Sequence, residues 1–185
     1  MIEAIQQIDR SLLLWVQGFG TSGLDAFWLF ITKKENGWPL YLLILIFSQR
    51  LLGWRKFGLL VLGTVVLITI SDQMTNLFKE GFMRLRPCHD PEISSLLRPL
   101  NYCGGQFSFY SGHASNGFAS VTFFAFILKR FNKAFLLLFL WAALLAFSRV
   151  YLGVHYPSDI IVGACFGTLW GTLFAMAYRK WVLAE

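Results

Sequence analysis

Residues 148–159 read Ser148-Arg149-Val150-Tyr151-Leu152-Gly153-Val154-His155-Tyr156-Pro157-Ser158-Asp159, with apolar runs on both sides at 134–147 and 160–178. A helix needs about 20 mostly apolar residues to cross a bilayer. The stretch therefore reads as the junction between two membrane helices. It sets an arginine, a histidine and a carboxylate at one membrane surface. Two more polar clusters lie at the ends of apolar runs. Lys79 closes the run 57–78 and is followed by Arg86-Pro87, and Ser111-Gly112-His113 opens the run 114–128. The expected fold is all-α: a polytopic membrane helical bundle with five to six transmembrane helices plus an N-terminal amphipathic helix. One membrane-embedded domain is expected over residues 1–185, with residues 88–112 as a polar, glycine-bearing loop.

Composition points the same way. The 185 residues are 56% hydrophobic and only 14% charged, and the mean hydropathy is +0.58. A soluble domain carries about 25% charged residues. The net charge of +6 raises the question of nucleic acid. Its cations, however, are scattered singly or in pairs between apolar runs and make no continuous basic stripe, so no nucleic-acid partner is expected. Residues 1–20 contain Glu3 and Asp9 and lack a basic leading segment, so no cleavable signal peptide is expected.

At the N-terminus, Ile5, Ile8, Leu12 and Val16 recur at helical spacing with Gln6, Gln7, Asp9 and Arg10 between them. That pattern suits a helix lying in the membrane interface. Residues 24–49 are apolar but interrupted by Lys33, Lys34, Glu35, Asn36 and Gly37, which leaves one or two crossings open. From residue 57 onward the alternation of spans brings all three polar clusters to one face. Lys79 ends one helix and His113 starts the next. That helix crosses away, and its successor returns to Arg149. The opposite face collects Arg50, Arg55, Lys56, Lys129, Arg130, Lys133, Arg179 and Lys180. The positive-inside rule then turns the cluster face away from the cytoplasm, toward the periplasm or outside of a bacterial inner membrane.

Phosphoryl transfer spreads negative charge over three oxygens, so its catalysis is mainly positioning and electrostatic stabilisation. Arg86 and Arg149 offer planar forks for phosphate oxygens, and Lys79 adds a point charge. Ser111 and Gly112, at a helix start, add backbone donors. His155 is the better nucleophile candidate, because Asp159 four residues later can orient an imidazole. His113 is placed to protonate the leaving oxygen and then to activate water. Because the clusters sit at the ends of membrane spans, the expected partner is a lipid phosphate within the bilayer.

Lys79-x6-Arg86-Pro87, Ser111-Gly112-His113 and Ser148-Arg149-x5-His155-x3-Asp159 together resemble the three-part signature of the phosphatidic acid phosphatase type 2 superfamily, over about residues 70–180. The resemblance implies a helical core and a phosphohistidine intermediate formed without metal or other cofactor. Carried over, His155 is the nucleophile, Asp159 its partner and His113 the acid and base. Lys79, Arg86, Arg149, Ser111 and Gly112 hold the phosphate. Tyr110 departs from the pattern, which has proline before Ser-Gly-His. Bacterial relatives of this kind act on undecaprenyl diphosphate, phosphatidylglycerophosphate or lipid A, and undecaprenyl diphosphate is the first expectation. A phosphotransferase using the same site, or a non-catalytic anionic-lipid carrier, stands as the alternative.

Other residues invite separate readings. Asp72, Asn76 and Lys79 share one helix face, so the first two are expected to support Lys79 from behind. Cys88 and Cys103 lie in the loop expected outside the cytoplasm, where a disulfide is permitted. His89 has no second imidazole near it in sequence and reads as a loop residue. Gly163, Gly167 and Gly171 form a small-residue face suited to close helix contact, within the monomer in preference to a weak homodimer.

Overall fold

A helix whose glycines recur every fourth residue can bring its backbone against a neighbour, and that contact organises this chain. The computed structural model describes residues 2–183, apart from the side chains of Ile2 and Lys34. Its elements in order are α1 (Ile2–Gly18), α2 (Ser22–Thr32), α3 (Trp38–Phe82), α4 (Gly112–Leu128), α5 (Leu138–Tyr151) and α6 (Pro157–Val182), with short 3-10 turns between them. Regular structure among the described residues is helical, apart from one isolated bridge between Leu85 and Phe107.

The α4–α6 contact follows from the glycine face. A Cβ added to Gly163, Gly167 or Gly171 would lie 2.6, 2.2 or 2.5 Å from the carbonyl oxygens of Ser111, which caps α4, or of Ser115 or Ala119 within it. The small-residue stripe therefore packs inside the monomer. Around it Leu60, Leu67, Phe123, Ile127, Ala142 and Tyr178 form the main apolar core. The outer surfaces are also apolar, with Leu62, Val65, Leu140, Ile161, Leu169 and Met176 exposed. A chain that is apolar both inside and out is built for a lipid solvent.

Among the described residues three segments are long and apolar enough to cross a membrane: Glu35–Phe82, Lys133–Tyr151 and Pro157–Val182. The first is broken at Gly53, whose φ of 74° and ψ of 166° are non-helical. Glycine reaches such a positive φ without steric cost, and this single residue divides α3 into halves at 38–52 and 54–82. Both halves pack on the same core through Leu40, Ile44, Leu60 and Leu67. Helix α4 has 17 residues, or ~26 Å at 1.5 Å each.

The interfacial reading of the N-terminus acquires a definite orientation. Ile5, Ile8, Leu12 and Trp15 on α1, and Phe19 just after it, point away from the protein, whereas Asp9, Leu13 and Gln17 are buried against it. Gln17 donates to the Tyr151 carbonyl (2.9 Å) and accepts from the Arg98 N–H (2.8 Å). Arg10 pairs with Asp90 and with Glu92. These partners hold α1 on the loops at the end of the bundle that bears the polar clusters.

Candidate active site

The end of α5 and the start of α6 are tied into one short knot. The Arg149 carbonyl accepts from the N–H groups of both Val154 (3.1 Å) and His155 (3.2 Å). Gly153 makes the turn possible with a φ of 69°. Pro157 then begins α6, where its missing N–H costs nothing. Asp159, in the first turn, accepts the Tyr156 N–H at Oδ2 (2.9 Å). The same Oδ2 lies 3.4 Å from His155 Nδ1, a close approach that is not aligned as a hydrogen bond. Helix capping thus explains why an acid four residues after the histidine faces it. Both side chains are buried.

The cations come from other elements. Arg86 follows the Leu85–Phe107 bridge, where its N–H donates to the Gln106 carbonyl (3.0 Å) and its Nε to the Phe107 carbonyl (3.2 Å). Its guanidinium lies against Gly104, where a Cβ would come within 2.6 Å of Nη1. Arg149 Nη1 donates to Thr32 Oγ1 and to the Tyr102 hydroxyl (2.8 Å). Lys79 sits in the last turn of α3, within electrostatic reach of Arg86, Arg149, Asp72 and Asp159. Ser111 caps α4 through its hydroxyl, and its N–H donates to the Asp159 carbonyl (3.1 Å), which fastens α4 to the His155–Asp159 segment. Gly112 fits against Thr75, and His113 follows in the first turn of α4, half-buried.

The arginines at this end of the molecule divide into two sets. Arg10, Arg84 and Arg98 each have carboxylate partners at hydrogen-bonding distance. Among the described residues Lys79, Arg86 and Arg149 have none within 4.0 Å, although Arg86 and Arg149 are buried. Arg86 Nη1 and Arg149 Nε are buried without a hydrogen-bond partner. Buried cations held this way require an anion from elsewhere. Burial and then the adjacent Arg149 pull Arg86 below its ordinary pKa, against the opposing pull of Asp159 and Tyr102.

Burial pushes the His155 imidazole down to about 4, while Asp159 acts upward and Arg86 and Arg149 act further downward. A neutral imidazole keeps a ring-nitrogen lone pair for attack on phosphorus. The same shift sets a sign for stability. From about pH 6.5 down to about pH 4 the unfolded chain binds more protons at this residue. Its contribution is intact above that window and is lost as pH falls through it. Melting temperatures in detergent should therefore drop more steeply with acid for the wild type than for His155→Gln, and parallel profiles would contradict the burial argument.

The supporting residues settle less uniformly. Asp72 is exposed and reaches the Asn116 amide (3.5 Å), and Asn76 is exposed on the same helix. Cys88 and Cys103 are joined, with Cα atoms 6.2 Å apart. His89 lies beside this disulfide, 3.4 Å from Cys103 Sγ and 3.2 Å from the Gly104 carbonyl. With both sulfurs bonded to each other, the Cys88–His89–Cys103 group is a loop staple. Tyr110, in place of the usual proline, is fully buried and stacks on Phe166 at 5.1 Å. Thr32, Tyr102, Arg84 and Asp9 are the residues sequence reasoning missed. For Arg84 the one available signal was its place two residues before Arg86.

A helical membrane protein with a buried His–Asp pair among cations that lack carboxylate partners has the layout of an enzyme that takes a phosphate ester. A family model described as the PAP2 superfamily matches residues 57–182. The chain belongs to the PAP2 superfamily and is a membrane phosphatase of that family. It is 37% identical to the lipid A 4'-phosphatase of Bacteroides thetaiotaomicron, over 97% of this chain and 81% of that protein. It is 31% identical to the lipid A 4'-phosphatase of Porphyromonas gingivalis, over 100% of this chain and 80% of that one. The crystal structure of a transmembrane PAP2-type phosphatidylglycerolphosphate phosphatase from Bacillus subtilis superposes with a TM-score of 0.73, covering 96% of this chain and 88% of that one, at 23% identity. That last likeness speaks to the fold alone.

Proposed function

We propose that this protein hydrolyses a lipid phosphate monoester at the outer face of a bacterial inner membrane, through a phosphohistidine at His155. The observation that carries the reading is the set of Lys79, Arg86 and Arg149, which have no carboxylate partner among the described residues, beside the buried His155–Asp159 pair. Lys79, Arg86 and Arg149 bind the phosphate oxygens, helped by the backbone at Ser111 and Gly112. His155 attacks phosphorus, the bond to the lipid oxygen breaks, and His113 gives that oxygen its proton. Water then attacks the phosphohistidine while His113 takes the water's proton, and inorganic phosphate leaves. Asp159 stabilises the imidazole as charge develops on it.

The lipid is of the lipid A class in this reading. Identity to two lipid A 4'-phosphatases along nearly the whole chain favours it over undecaprenyl diphosphate, the first expectation from sequence. The cations clustered at the other end, where Arg130, Arg179 and Lys180 line one cleft, support the outward orientation of the site. The test is phosphate release by purified protein from lipid A, undecaprenyl diphosphate and phosphatidylglycerol phosphate. Release is expected to be fastest from lipid A, inhibited by vanadate and unaffected by a chelator. Preferential release from undecaprenyl diphosphate would reassign the substrate, and no release from any of the three would remove the hydrolase reading.

A further inference from the structure

Asp159 is fully buried and carries a charge that must be matched. Among the described residues one cation lies within 4.0 Å of its carboxylate other than the imidazole, and it belongs to none of the signature positions. Arg84 Nη1 donates to Asp159 Oδ1 (2.9 Å) and to Ser158 Oγ (2.8 Å). Its Nη2 donates to Asp9 Oδ2 (2.7 Å), and its guanidinium lies 3.9 Å over the Tyr156 ring. Asp9 is itself buried on α1. Its Oδ1 accepts the Ser158 N–H (2.9 Å), and its Oδ2 also accepts the Ser158 hydroxyl.

These contacts form a row in which each member fixes the next. Oδ2 of Asp159 faces Tyr156 N–H and His155, so the rotation of this carboxylate is set by what holds Oδ1. Arg84 holds Oδ1, and a planar fork shared between two acids has one orientation that satisfies both. The other acid comes from α1, which elsewhere exposes Ile5, Ile8, Leu12 and Trp15. Such a helix rests in the membrane interface.

We propose that Arg84 and Asp9 are positioning residues: Arg84 sets the Asp159 carboxylate beneath His155, and Asp9, reaching in from α1, sets Arg84. The proposal rests on the assignment of His155 as nucleophile with Asp159 as its partner. A lysine at 84 keeps the charge and loses the fork. An asparagine at 9 keeps the size and loses the anion. Both changes act on the chemical step and leave the phosphate-binding cations in place.

The test is a kinetic cycle on the full-length protein in detergent, with radiolabelled lipid phosphate so that slow variants are measured. Asp9→Asn and Arg84→Lys are each expected to lower kcat on the order of 10-fold, with KM within about twofold of wild type. In an Asp159→Asn background each is expected to lower kcat by less than about twofold, because the residue through which it acts is already gone. Gln17→Ala removes a different contact of the same helix, with the Tyr151 carbonyl and the Arg98 N–H, and touches neither Arg84 nor Asp159. It should lower the melting temperature and leave kcat within about twofold of wild type. The proposal is overturned by unchanged kcat in Asp9→Asn and Arg84→Lys, by undiminished losses in the Asp159→Asn background, or by an equal loss of kcat in Gln17→Ala. Should Asp9→Asn fail to fold, Arg84→Lys alone and with Asp159→Asn decides the matter. Wild-type activity in Asp159→Asn itself would instead overturn the underlying assignment.

Discussion

His155→Ala is expected to lower phosphate release on the order of 10⁴-fold or more, with the protein still folded and monodisperse. The variant removes a ring that combines burial, an acid 3.4 Å from its inner nitrogen and a position among cations that have no carboxylate within 4.0 Å among the described residues. The lost groups act as a unit, so Asp159→Asn on the same background should add little. Two observations separate chemistry from folding. The melting temperature of His155→Ala should stay close to that of wild type at neutral pH. Inorganic vanadate, which depends on the cations and on a histidine ligand, should bind much more weakly. A variant that retains activity removes the covalent step from the mechanism.

The largest expected effect on stability lies at Gly167. A Cβ there would sit 2.2 Å from the Ser115 carbonyl oxygen and 3.0 Å from the Ala119 nitrogen, both main-chain atoms of α4 that cannot rotate aside. Gly167→Val must push α6 off α4, and this interface also holds Ser111 against Asp159. A loss of about 4 kcal/mol or more follows, the range reserved for disrupted cores. That corresponds to a melting temperature lower on the order of 10 °C. Gly58→Ala is the control, because nothing lies within 4 Å of its added Cβ. It should be neutral or slightly stabilising through the unfolded chain. Equal tolerance at the two positions would mean that α4 and α6 are not in backbone contact.

Why some of this was legible in the sequence is a matter of distance along the chain. His155 and Asp159 lie four residues apart, and both the capping of α6 and the approach to the imidazole are local. The glycine stripe at Gly163, Gly167 and Gly171 is likewise periodic within one helix. Lys79 and His113 were legible because each marks the end of an apolar run, and Arg86 because it follows Lys79 closely, so counting crossings brought them to one face.

The parts that stayed hidden depend on pairings far apart in sequence. Asp9 meets Ser158 from 149 positions away, and Thr32 meets Arg149 from 117. Nothing in the residues around Asp9 announces an arginine partner. Its acid reads simply as the polar side of an amphipathic helix. That pattern is also ambiguous in direction. A helix apolar on one side usually buries that side in protein, but next to a bilayer the apolar side turns to lipid and the polar side docks. Gly53 is a third case. A glycine in an apolar run gives no sign that it will take a φ of 74° and divide α3. Tyr110 was read as a departure in a loop. Its ring is packed, in contact with both Phe78 and Phe166.

The central claim is a covalent phosphoryl group on His155, and trapping it is the most direct test. The protein of choice is His113→Ala, supplied with a radiolabelled phosphate monoester whose leaving group is good enough to depart without an acid. His155 can then be phosphorylated, while the hydrolysis that needs His113 stalls. Quenching in base and mapping the peptides should give an acid-labile, base-stable label on the peptide containing His155, absent when His155→Ala is added. A label on another residue, or phosphate release in multiple turnovers with no label on any peptide, would contradict the account.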